Sequence, residues 1–411
     1  MTNPLLARTD LPPFADIRPE HVGPAITELL GEAERALEQV TGDAVPADYD
    51  AMSAVLDVAT ERLGRAWGAV GHLNGVADSP ALRAAYNESL PKVTEFYTRL
   101  GSDERLYAKY KAIDASPAGQ ALRPARRKAL ANAMRDFVLG GAELQGAARE
   151  RYAAIQDRQA ALSQLFSEHV LDATDGFAYF ASPAELAGVP DDIQAATRAA
   201  AEAEGQAGHK LTLHLPVYLP VMQYADDRAL RERLYTAYAT RASELGKPET
   251  DNSAVMQELL ALRQEEAALL GYANFAEVSL VPKMAQSPAE VIAFLRDLAR
   301  RARPFAEKDL AELREFARTE LNLPDLQAWD QAYASEKLKE RRYAFSDQEV
   351  KPYFTETKVL DGLFRIIETL FDVAIRPDTA PVWHPTVRFF RIDRRGETVG
   401  QFYLDPYARP G

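Results

Sequence analysis

Four serine–proline pairs punctuate this chain, at Ser79-Pro80, Ser116-Pro117, Ser182-Pro183 and Ser287-Pro288, and they constrain its fold more than any other feature. A serine hydroxyl accepts a hydrogen bond from the free N–H groups of a helix's first turn, and proline at the first helical position gives up an N–H that has no partner there anyway. Each pair therefore reads as a helix start. In Ser182-Pro-Ala-Glu185 and Ser287-Pro-Ala-Glu290 a glutamate three residues after the serine completes a capping box. Pro19-Glu20 opens another run, with Val22, Ile26, Leu29, Leu30, Ala33 and Leu37 on one side of a 3.6-residue period. These signals predict long helices near residues 20–41, 48–75, 80–100, 117–139, 147–172, 226–243, 253–270 and 288–320. The fold class is mainly α.

Two segments break the helical pattern. Lys210-Leu-Thr-Leu-His-Leu-Pro-Val-Tyr-Leu219 alternates and is rich in β-formers, which predicts a short strand ended by Pro220. That break places a domain boundary near residue 220, with an N-terminal helical domain over 1–220 and a second unit over 221–411. Val387–Asp393 and Thr398–Asp405, joined through Arg394-Arg395-Gly396, predict a β-hairpin. Glu244–Ser253 reads as a polar loop, and no fixed-period repeat or heptad run is present.

With 411 residues and 47% hydrophobic content the chain can bury a substantial core. Its 61 acidic against 48 basic side chains give a net charge of −13, a field that repels phosphate backbones and anionic lipid and argues against nucleic acid as a partner. The absence of cysteine excludes disulfides, thiolate metal sites and a cysteine nucleophile, and suits a reducing compartment. The N-terminus lacks a basic region followed by an apolar one, and no stretch approaches the ~18 apolar residues of a membrane span. A cytoplasmic, non-membrane protein is expected.

Chemistry is harder to place. A zinc-protease helix needs two histidines four residues apart, so that both rings reach one ion, and a glutamate beside the first. None of His21, His72, His169, His209, His214 and His384 forms that pair, and Glu20-His21 and Glu168-His169 fail the inverted motif too. No Gly-x-Ser-x-Gly elbow and no phosphate-cradling glycine motif occurs; Gly140-Gly141 sits where a helix should stop and reads as a C-terminal cap. Adjacent Glu265-Glu266 and the charge run Ser335–Tyr343 read as solvated helix surface, and Trp329, Tyr333 and Trp383 as packing aromatics.

The order of short motifs carries more. Trp329-Asp330, Ser335-Glu-Lys337, Tyr343, Pro352-Tyr-Phe354, Gly362-Leu-Phe364, Val382-Trp-His-Pro385 and Gly400-Gln-Phe-Tyr-Leu-Asp405 with Tyr407-Ala-Arg409 resemble the zinc oligopeptidase family of thimet oligopeptidase and neurolysin. Leu11-Pro-Pro-Phe14, Pro19-Glu-His-Val22, His72-Leu-Asn74 and Val170-Leu-Asp-Ala-Thr174 narrow the likeness to the bacterial oligopeptidase A branch of that family. The resemblance runs from first residue to last. It implies a helical lobe followed by the beginning of a helical catalytic lobe with a small β-hairpin or sheet, and a channel for short peptides. It also implies a monomer and a zinc ion held by H-E-x-x-H plus a later glutamate.

Those ligands lie downstream of the Tyr-x-x-Arg segment in the family, so no catalytic or metal-ligating residue is assigned in this chain. The 411 residues are expected to be an N-terminal portion that binds no zinc and cuts nothing alone. A truncated, non-catalytic peptide- or partner-binding protein is the other reading. The resemblance places the hairpin's outer strand near the substrate path, with Tyr403, Asp405, Tyr407 and Arg409 as channel candidates; support of a sheet edge is their structural reading. Pro406, where relatives usually carry an apolar strand residue, and Ala334, where a second tyrosine often follows Tyr333, depart from the family pattern. The apolar faces of the hairpin and of the helices after residue 253 are expected to be exposed.

Overall fold

The computed structural model describes residues 3–345 and 347–407, with the backbone alone at Asp347 and Gln348. Helix α1 (Pro19–Thr41) forms because its apolar residues recur every three to four positions, and the buried face runs from Val22 through Ile26, Leu29, Ala33 and Leu37 to Val40. That face packs on α2 (Tyr49–Val76) and α3 (Pro80–Gly101), where Leu63, Ala66, Val70, Val93 and Phe96 close the first core. Ser79 caps α3 through the Leu82 amide, as its Ser-Pro pair predicts.

A second cluster joins the far ends of α1 and α2 to α4 (Glu104–Ala115) and α6 (Pro124–Leu139), with α5 (Pro117–Gln120) a single turn between them. The expected helix over 117–139 is thus broken. Pro124 disfavours a helical conformation at Arg123, which sits at ψ 151°, and α6 restarts after it. Gly140-Gly141 ends α6 as expected: Ala142 N–H bonds the Phe137 carbonyl at 2.9 Å and Gly141 N–H the Val138 carbonyl at 3.1 Å, with Gly141 at φ 83°.

Helix α7 (Ala147–Asp175) lies against α3 and α11 (Ser253–Leu269), sealed by Ile155, Leu162, Val255, Leu259 and Leu262. The Arg151–Glu265 and Arg158–Glu258 pairs along this seam are solvent-exposed and screened by water, so they contribute little; the buried aliphatics hold it. Beyond α7 come β1 (Tyr179–Ala181), α8 (Asp191–Ala203), β2 (His209–Leu211), α9 (Leu215–Tyr224) and α10 (Arg228–Thr240).

The strand expected over 210–219 is corrected here, because only His209–Leu211 pair, antiparallel with β1, and the rest is α9. Pro216 cannot donate to a ladder but fits a helix's first turn, and Tyr218, Val221, Met222 and Ala225 recur at helical spacing into the third core. Residue 220 lies inside α9. Ser182-Pro-Ala-Glu185 forms a turn instead of a helix and keeps only the glutamate's half of the box: Glu185 accepts from the Ser182 amide and hydroxyl, each at 2.8 Å, and from the Tyr179 hydroxyl, while its own N–H bonds the Ser182 carbonyl.

The remaining helices are α12 (Phe275–Leu280), α13 (Pro288–Glu320), α14 (Gln331–Tyr343), α15 (Asp347–Val350) and α16 (Glu356–Phe371). Ser287 caps α13 through the Glu290 amide. The expected hairpin is present as β4 (Arg388–Arg394) and β5 (Glu397–Leu404), turning at Arg395 and Gly396 with φ 51° and 86°. It is not a two-stranded ribbon, because β3 (Ala374–Asp378) adds a third antiparallel strand in the order β3-β4-β5. Among the described residues no helix is long and apolar enough to cross a membrane.

Candidate functional site

Strand alternation decides which β5 residues can meet what. Phe402 lies on one face, where it stacks on its cross-strand partner Phe390 at 5.3 Å and meets Phe364 of α16 edge-on. Tyr403 lies on the other, 4.7 Å from the ring of its partner Phe389. That second face reaches the N-terminal helices. Phe14, from the segment before α1, places its ring 5.1 Å from Trp383 and 5.8 Å from Tyr403, and His72 of α2 stands edge-on to Trp383 at 4.2 Å. Residues nearly four hundred positions apart thus share one aromatic cluster, continuous with the α1–α3 core.

Its polar groups are few. The Trp383 indole N–H donates to Asp405 Oδ2 at 3.0 Å. Among the described residues, His72 Nε2 and the Tyr403 hydroxyl oxygen are buried without a hydrogen-bond partner. Burial disfavours the imidazolium and pulls His72 below the usual histidine range, against the partial opposition of the Asp405 charge. Burial likewise raises the Tyr403 phenol. Beside the cluster, Phe14, Arg18, Leu73, Leu82, Trp383 and His384 border a cavity of about 390 Å³.

The four channel candidates are placed unequally. Tyr403 and Asp405 sit in this junction between the sheet and the N-terminal helices. Tyr407 is exposed, its hydroxyl donating to Glu356 Oε2 at 3.2 Å. Arg409 lies outside the described residues. Phe14 and His72 were not legible as neighbours of these residues, since only their tertiary packing brings them to the strand.

The histidines are dispersed. His21 accepts from the Arg18 amide at the start of α1, His169 bonds Asn252, and His384 bonds Thr386. His209 is fully buried, its Nδ1 within 3.1 Å of both the Thr197 hydroxyl and the Gln194 carbonyl. His214 lies 3.0 Å from Asp175. Among the described residues no three histidine, aspartate or glutamate side chains come together in a group that could hold a metal ion.

Comparison with known proteins agrees with the architecture. Residues 221–411 match the family model described as peptidase family M3, and residues 26–149 that of the neurolysin/thimet oligopeptidase N-terminal domain. Oligopeptidase A of Salmonella typhimurium is 46% identical over 414 residues, and that of Escherichia coli 45%, each alignment covering 100% of this chain and 61% of the relative. The dipeptidyl carboxypeptidase of Escherichia coli is 25% identical over 99% of this chain, again with 61% of the relative covered. The chain therefore spans about three fifths of the length of these curated relatives. With the N-terminal-domain match preceding the peptidase match along one chain, the chain belongs to peptidase family M3.

Proposed function

We propose that this chain is the leading portion of an oligopeptidase A-type enzyme that hydrolyses short peptides in the cytoplasm. In this reading residues 1–220 are the N-terminal helical domain and 221–411 the first part of the peptidase domain. The observation that carries it is the 46% identity over the whole chain, an alignment that covers 61% of the relative. The zinc ligands and the glutamate that activates water then belong to a further segment, and no step of hydrolysis falls to a residue of this chain. Its part is to wall the peptide path, with Tyr403, Asp405, Tyr407 and Arg409 along the border. Exposure of Tyr407 and of Gln401, two positions before Tyr403 on β5, supports that placement.

The test is direct. The purified 411-residue chain, equilibrated with zinc and given a quenched fluorescent peptide, is expected to retain less than one tight zinc per molecule and to show no chelator-sensitive cleavage. One tight zinc per chain with chelator-sensitive hydrolysis would overturn this reading. Peptide binding by calorimetry without cleavage in a protein extended through the missing segment would favour the non-catalytic alternative.

A further inference from the structure

Helix α13 runs for 33 residues and, among those described, buries only Ala317. Leu295, Leu298, Ala302 and Phe305 follow one another at three- and four-residue steps, so they share one face, and Leu295, Leu298 and Phe305 are 55%, 47% and 71% exposed. Helix α16 repeats the pattern. Its inner face meets the sheet through Phe364, while Val359, Leu363, Ile366 and Leu370, again at four- and three-residue steps, are 45%, 47%, 59% and 71% exposed. Two narrow apolar stripes of this spacing have the form of helix–helix seams. Isolated exposed apolar residues are ordinary, but two regularly spaced rows of them, one on each of two helices, are not.

Several facts point to the occupant. Both stripes lie within residues 221–411, the part that matches the peptidase family. The N-terminal helices, matched to a separate family model, instead close their apolar faces on α1, α2 and α3. The relatives carry about two fifths of their length beyond what this chain covers. The outer edge of β5 is also unpaired among the described residues.

We propose that the outward stripes of α13 and α16 are the docking seam for the remaining two fifths of the peptidase, which packs helices against both, and that the seam suffices for the two parts to associate as separate chains. The proposal rests on the reading of the chain as a portion of an oligopeptidase, but it concerns assembly, and its test separates the two. The probe is the part of Escherichia coli oligopeptidase A that this chain does not cover, produced as a separate polypeptide.

Mixed with the 411-residue chain, it is expected to co-elute as a one-to-one complex and to slow amide exchange in α13 and α16. The double variants Leu295→Glu/Leu298→Glu and Leu363→Glu/Ile366→Glu should each weaken association about 100-fold or more, since each puts two charges where two leucine-sized groups are buried. Val58→Glu, at an isolated exposed position on the N-terminal lobe, should leave it unchanged. Because all these positions are exposed, circular dichroism and unfolding midpoints of the variants are expected to match the parent. Failure to associate, equal association by the stripe variants, or self-association of the chain through the stripes in place of the complex would each overturn the seam. A one-to-one complex that loads no zinc and cuts no peptide would sink the catalytic reading and leave the seam standing.

Discussion

Asp330 has no exposed surface, and its carboxylate accepts from Arg228 at 2.7 Å and from Arg231 at 2.8 Å. Arg231 is itself 1% exposed, its guanidinium lying over the Tyr333 ring at 4.1 Å. Burial raises the Asp330 carboxyl, but the two arginine hydrogen bonds outweigh it and hold the group below the usual range. Removing one member of such a pair strands the other charge, so Asp330→Asn is expected to lower stability by about 3–5 kcal/mol in urea unfolding. A carboxyl depressed in the folded state stabilises above its unfolded value near 4, and that contribution is lost as pH falls through the lower folded value. The parent should therefore lose stability on acidification below about pH 4, and Asp330→Asn should flatten that loss. Trp329-Asp330 was legible as a motif, but its partners, about a hundred residues earlier on α10, were not.

At the level of elements, the chain announced those whose ends carry local chemistry. Ser79 and Ser287 cap α3 and α13 where expected, and Gly141 closes α6, because capping groups and their partners are three or four residues apart. What misled was a segment whose alternation and helical period overlap: Lys210–Leu219 reads as a strand until Tyr218, Val221 and Met222 are seen to point into one core. The turn before α8 shows the same dependence. Gly188 sits at φ 85°, and a Cβ there would collide with the Tyr224 carbonyl oxygen at the end of α9. Gly188→Ala is expected to cost about 1–3 kcal/mol from the left-handed backbone, and more from the collision, read as a lower unfolding midpoint with faster exchange at the Asp226 amide, which bonds Ala187. Nothing within Leu186–Pro190 foretells that contact.

Across the whole molecule, the sheet meets the N-terminal helices through a small aromatic junction. Phe14, 9% exposed, touches the rings of His72, Trp383 and Tyr403. Phe14→Ala is expected to destabilise by about 3–5 kcal/mol and to uncouple the parts, so that residues 374–404 lose amide protection before the α1–α3 core in native-state hydrogen exchange. The sequence by itself determined the mainly helical class, most long helices, the hairpin and its turn, and the family, because each is written in contacts of short chain separation or in the order of motifs. Only the tertiary structure decided that α9 is a helix, that β3 joins the hairpin, and that Phe14 and His72 stand beside β5. Those outcomes depend on burial between residues far apart in the chain, where the gain from covering apolar surface outweighs the local preferences that a sequence displays.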